Sequence, residues 1–90
     1  MRDFLVEEGL RKTLHKLTKK DKVMYEAVIK KFDEILSCAD VAHYKNLRAP
    51  MQEFKRVHIK GSFVLIFKYL PSEDKIIFFE LDHHDNIYGN

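Results

Sequence analysis

His58, His84 and Tyr88 can each move a proton, and Lys55 and Arg56 stand just before the first of them as cations able to hold a phosphate. Those residue types suit cleavage of RNA without a metal. In that reaction a base takes the proton of the 2′-hydroxyl, an acid protonates the departing 5′-oxygen, and cations stabilise charge developing on the phosphate. The chain offers the set on two segments, 45–58 and 83–88. His58 is the sharpest candidate, because a solvated histidine titrates near neutral pH and serves as acid or as base. The plain alternative is a histidine half-buried and satisfied by backbone groups. Lys45, Lys55 and Arg56 would hold the scissile phosphate, arginine offering a bidentate fork that lysine lacks. Arg48 and Lys60 extend the cationic run, in which Glu53 is the sole acid between 45 and 60, and His83 adds a further group for phosphate. Ordinary solvation of a surface produces charge runs of the same kind. His84 and Tyr88 are four apart, so one helical turn would set them on one side. Tyr88 there either stacks on a base or assists proton transfer, or simply packs against the fold.

Other chemistries find less support. Asp82-His83-His84-Asp85 contains good metal ligands, but adjacent histidines point apart in an extended chain and no cysteine lies nearby, so no metal and no cofactor are expected. Glycine-rich phosphate loops, nucleophile elbows and H-E-x-x-H are missing from the sequence. Cys38 is the only cysteine, which excludes an intramolecular disulfide and suits a cytoplasmic protein; its apolar setting reads as a small core residue. The opening residues mix acids with apolar side chains, unlike a signal peptide, and no run approaches the roughly 20 apolar residues of a membrane span.

The elements that must position these groups follow from periodicity. With 90 residues, the chain can bury one modest core, so a single domain over 1–90 is expected. A net charge of +2 is too small to argue for nucleic acid, which puts the weight on how the cations cluster. Leu10, Leu14 and Leu17 predict a helix near 7–18. A second runs to about Ser37 on Tyr25, Val28, Ile29, Phe32, Ile35 and Leu36, capped by Thr18 or Asp21. Residues 3–6 read equally as an edge strand or a helical extension. From Phe54 the period becomes two, so Arg56 and His58 share one strand face while Lys55, Val57 and Ile59 take the other. Lys60-Gly61-Ser62 turns the chain, Phe63 to Tyr69 and Ile76 to Leu81 predict two central strands, and Pro71 to Asp74 turns between them. The fold class is α+β: an N-terminal helical hairpin on one face of an antiparallel meander, the other face free for function.

Set in order, Lys45-Asn46-Leu47, Phe54-Lys55-Arg56-Val57-His58-Ile59, Phe63-Val64-Leu65-Ile66-Phe67-Lys68 and Asp82-His83-His84-Asp85-Asn86-Ile87-Tyr88 resemble the RelE/YafQ family of type II toxins, the YafQ branch most closely. The resemblance covers most of the chain. His58 matches the family's strand histidine, His84 its C-terminal histidine and Tyr88 its terminal aromatic. Lys45 stands where that branch has histidine, Lys55 replaces an arginine, Ser62 an acid, Leu81 an arginine and Ala49 a glycine. The resemblance implies a RelE-like microbial RNase fold. It also implies a ribosome-dependent, metal-independent mRNA endonuclease that uses the 2′-hydroxyl as nucleophile and is neutralised by a cognate antitoxin. Leu81 favours an alternative, an RNA- or ribosome-binding module of the same fold with weakened catalysis.

Overall fold

Leucines on one stripe and charges on the rest make the first helix amphipathic, and α1 spans Glu8–Lys20 in the computed structural model, which describes residues 1–88, Tyr88 by its backbone only. Asp21 both ends α1 and starts α2 (Lys22–Ser37). Its N–H donates to the Leu17 carbonyl at 2.9 Å, and its carboxylate accepts from the Met24 N–H at 3.1 Å. Of the two cap residues the sequence offers, Asp21 does the work, because the Thr18 hydroxyl is spent on the His15 carbonyl at 2.6 Å. α2 buries Met24, Val28, Phe32, Ile35 and Leu36.

The sheet has the order β1-β4-β3-β2, with β1 at Asp3–Val6, β2 at Lys55–Ile59, β3 at Phe63–Leu70 and β4 at Lys75–His83. β2, β3 and β4 form the expected antiparallel meander, and β1 adds a parallel strand beside β4, so the sheet is mixed. β1 fell in the undecided segment because its four residues carry no alternation: Asp3, Phe4 and Leu5 are all exposed on an edge. Alternation along β3 divides the burial. Leu65 and Phe67 join Val57, Ile59, Ile76, Phe78 and Leu81 against the helices, where the Phe32 and Phe78 rings stack at 3.8 Å and 6°. Cys38 is half-buried against this core.

The far face is only partly free. Val64 and Ile66 pack with Leu47, Phe54 and Ile87 in a second, smaller core, so the segment 44–54 and the C-terminal helix α3 (His84–Tyr88) cover part of it. Pairing shifts between Ile66 and Phe67 so that Phe79 is the extra residue of a β-bulge, and its ring turns onto Phe54 at 4.9 Å. The sheet face that β-rich residues would otherwise leave open thus becomes the floor of a groove.

Candidate active site

Arg56 and His58 pair across β2 and β3 with Ile66 and Val64, whose own partners on β4 are Glu80 and Asp82. Residues directly opposite in a sheet share a face, so two rows, Arg56-Ile66-Glu80 and His58-Val64-Asp82, stand side by side on the face away from the helices. His84 reaches the same place from the end of β4. The Asp82 carboxylate accepts from the His83 N–H at 2.7 Å and the Asn86 side-chain amide at 2.9 Å, turning strand into helix within one residue. The His84 N–H donates to the Ser62 carbonyl at 2.7 Å, which pins the start of α3 to the β2–β3 turn. Ile87 then anchors α3 on Leu47, Val64 and Ile66.

These constraints bring the His58 and His84 rings to 5.4 Å between centroids with 30° between planes. Both line a groove of about 600 Å³, together with Arg56, Arg48, Leu47 and Ile87. Its outer wall is the segment 46–51, whose start is held against β2 by the Arg56 N–H on the Lys45 carbonyl at 2.9 Å and the Leu47 N–H on the Phe54 carbonyl at 2.9 Å. Two imidazoles and a guanidinium over an apolar floor are the parts of a general acid, a general base and an oxyanion-stabilising cation.

The remaining candidates are distributed differently. Lys55 sits opposite Phe67, on the helix side, and its ammonium donates to the Tyr44 carbonyl and to Asn46 Oδ1, each at 3.0 Å. It braces the wall from behind and does not face the groove with Arg56 and His58. Lys45 is exposed and contributes its carbonyl to that wall. Lys60 is exposed in the β2–β3 turn and borders a second depression, which His58 also lines. His83 lies opposite Phe63 on the other side of the sheet, with its ring edge-on to that phenylalanine at 5.7 Å and its Nδ1 accepting from the Asp85 N–H at 3.2 Å. The two adjacent histidines therefore diverge, and among the described residues no three His, Cys, Asp or Glu side chains converge as metal ligands. The Tyr88 side chain lies outside the described residues.

Leu81 needs a correction. It lies opposite Leu65, is 7% exposed and packs in the helix-side core. A cation at 81 would point into that core, so the leucine there is no lost phosphate ligand, and the weakened-module alternative loses the feature that favoured it. Sequence reasoning also missed Asp82, which it weighed only as a metal ligand, although an aspartate two residues before a helical turn is a visible capping signal.

No protein-family model matches the chain. Over 88 residues it is 47% identical to a protein of Methanocaldococcus jannaschii named "Putative toxin RelE4", covering 98% of this chain and 92% of that one. The chain belongs to the RelE family of toxins. The fold of this RelE-family toxin agrees with the assignment. It superposes with a TM-score of 0.74, at 19% identity, on a chain of the toxin–antitoxin complex RelBE2 from Mycobacterium tuberculosis, over 92% of this chain and 98% of that. With YafQ from E. coli strain BL21(DE3) the TM-score is 0.65 at 15% identity, over 99% of this chain and all of that.

Proposed function

We propose that this RelE-family toxin is an endoribonuclease of the cytoplasm that cuts mRNA on the ribosome, without a metal, and is held inactive by a cognate antitoxin. The observation that carries the reading is the stacked pair of His58 and His84 beside Arg56 at one groove. One imidazole takes the proton from the 2′-hydroxyl, whose oxygen attacks phosphorus. The P–O5′ bond breaks, and the other imidazole delivers a proton to the leaving oxygen, giving a 2′,3′-cyclic phosphate and a 5′-hydroxyl. Arg56 holds the non-bridging oxygens as their charge grows, and its fork suits two of them at once. Arg48, on the outer wall, meets the backbone as it enters.

The ribosome and the antitoxin enter from the family. The relative from M. jannaschii is named a toxin and the M. tuberculosis neighbour is a complex with its antitoxin. None of the helices among the described residues is long and apolar enough to cross a membrane. Primer extension on translated messages tests the proposal. Cells expressing the wild-type chain should show new, codon-phased RNA ends, and cells expressing the His58→Ala, His84→Ala double variant should show none. Equal ends from both would remove this reading.

A further inference from the structure

Around the edge of β2 from the groove lies a second depression of about 240 Å³, bordered by Lys30, Lys31 and Glu34 of α2 and by His58, Ile59 and Lys60. His58 lines both hollows, so the two meet at that residue. Lys31 is committed to Glu34 at 2.7 Å, and that contact holds the Glu34 carboxyl below its ordinary range. Lys30 and Lys60 are then the exposed cations that this depression offers, and neither forms a salt bridge among the described residues.

Lys60 is held in an unusual way. Its φ is 52°, a left-handed conformation that side-chain-bearing residues adopt at a cost, although Gly61 beside it at 78° bears no such cost. The same turn receives the His84 N–H on the Ser62 carbonyl at 2.7 Å, and the Ser62 N–H donates to the Lys60 carbonyl at 2.9 Å. The backbone carrying Lys60 is therefore tied to the backbone carrying His84, which fixes the depression relative to the imidazole pair.

We propose that Lys30 and Lys60 form a subsite for the backbone phosphate next to the scissile one, so that RNA crosses the edge of β2 at His58 and is gripped on both sides of the cut. This rests on the nuclease reading for the identity of the central phosphate. Binding two successive phosphates on either side of His58 would hold the 2′-hydroxyl between them in line with the bond to be broken.

Fluorescence anisotropy with a short, labelled, 2′-O-methylated oligoribonucleotide tests the subsite apart from cleavage. Each phosphate contact releases about 0.7 counterion from a single strand. The Lys30→Gln, Lys60→Gln variant should therefore bind on the order of tenfold more weakly near ~0.1 M salt, with a log–log salt slope shallower by about 1.4. A Lys16→Gln, Lys20→Gln variant, with the same charge change on α1, should keep most of the slope. Replacing the linkage beside the blocked scissile position with a methylphosphonate should weaken the wild type by several-fold and leave the Lys30→Gln, Lys60→Gln variant unchanged. Equal slopes for wild type and that variant, or losses that simply add, would overturn the subsite while leaving cleavage assays untouched. Loss of the predicted RNA ends in cells with the slope difference intact would instead sink the nuclease reading and keep the subsite. Failure of the wild type to bind the oligonucleotide would overturn the subsite outright.

Discussion

In the proposed reaction His58 and His84 act as one unit or not at all, because proton removal and proton delivery belong to the same displacement. Removing a general acid or base costs about 10²–10⁴ in rate, and residues that act together are far from additive. Single-turnover cleavage on programmed ribosomes should therefore fall by that range for His58→Ala or His84→Ala alone, and the double variant should be little worse than the poorer single. Lys55→Gln should leave the rate within a few-fold, since its ammonium is bound behind the wall. The sharing of a face by Arg56 and His58 was legible in the sequence, because a strand period of two leaves no other arrangement. The same period put Lys55 on the opposite face, but a run of cations and a family resemblance drew it into the site. Leu81 misled for a related reason: a motif position carries no information about which side of the sheet it occupies until the register is known.

At the scale of elements, the site depends on α3 being folded back onto the sheet. Among the described residues its apolar anchor on the second core is Ile87, and its first turn is closed by Asp82. Asp82→Ala removes two hydrogen bonds worth about 1 kcal/mol each, so the expected result is a modest fall in Tm, with a larger fractional loss of cleavage as His84 leaves its place beside His58. Phe78→Ala is the contrasting case. Phe78 is fully buried and stacked on Phe32, and its truncation should cost about 3–5 kcal/mol measured by denaturant unfolding. α1, α2 and the three meander strands announced themselves through periodicities of 3.6 and two. β1 did not, because a four-residue edge strand held by parallel pairing to β4 is specified by long-range contacts and shows no local pattern. The covered far face was legible only in outline: Val64 and Ile66 required burial on both sides of β3, but what would cover them lay in the pattern-poor stretch 44–54.

For the molecule as a whole, the start of the chain is stapled to the body of the fold through Arg2. The Arg2 guanidinium donates to Asp74 at 2.7 Å, to the Leu36 carbonyl at 3.2 Å and to the Cys38 carbonyl, and lies 5.7 Å over the Tyr69 ring. It joins β1, the end of α2 and the β3–β4 turn. The Tyr69 hydroxyl donates to Asp74 at 2.8 Å, and together with Arg2 it holds the Asp74 carboxyl below its usual range. A carboxyl lowered by folding adds stability above its unfolded pKa, and that contribution disappears as pH falls through the folded value. Asp74→Asn should accordingly lower Tm slightly at neutral pH, and the gap to the wild type should close as the solution is taken below about pH 4; a gap that widened in acid would contradict the staple.

The central proposal is that imidazoles at one groove break RNA through its own 2′-hydroxyl. The direct measurement is the chemistry of the ends left on a ribosome-bound message cut by the purified toxin in excess EDTA. The arrangement of His58, His84 and Arg56 predicts cleavage that survives the chelator and leaves a 2′,3′-cyclic phosphate facing a 5′-hydroxyl, with both ends lost in the His58→Ala, His84→Ala variant. A 3′-hydroxyl facing a 5′-phosphate, or full cleavage by that variant, would contradict it.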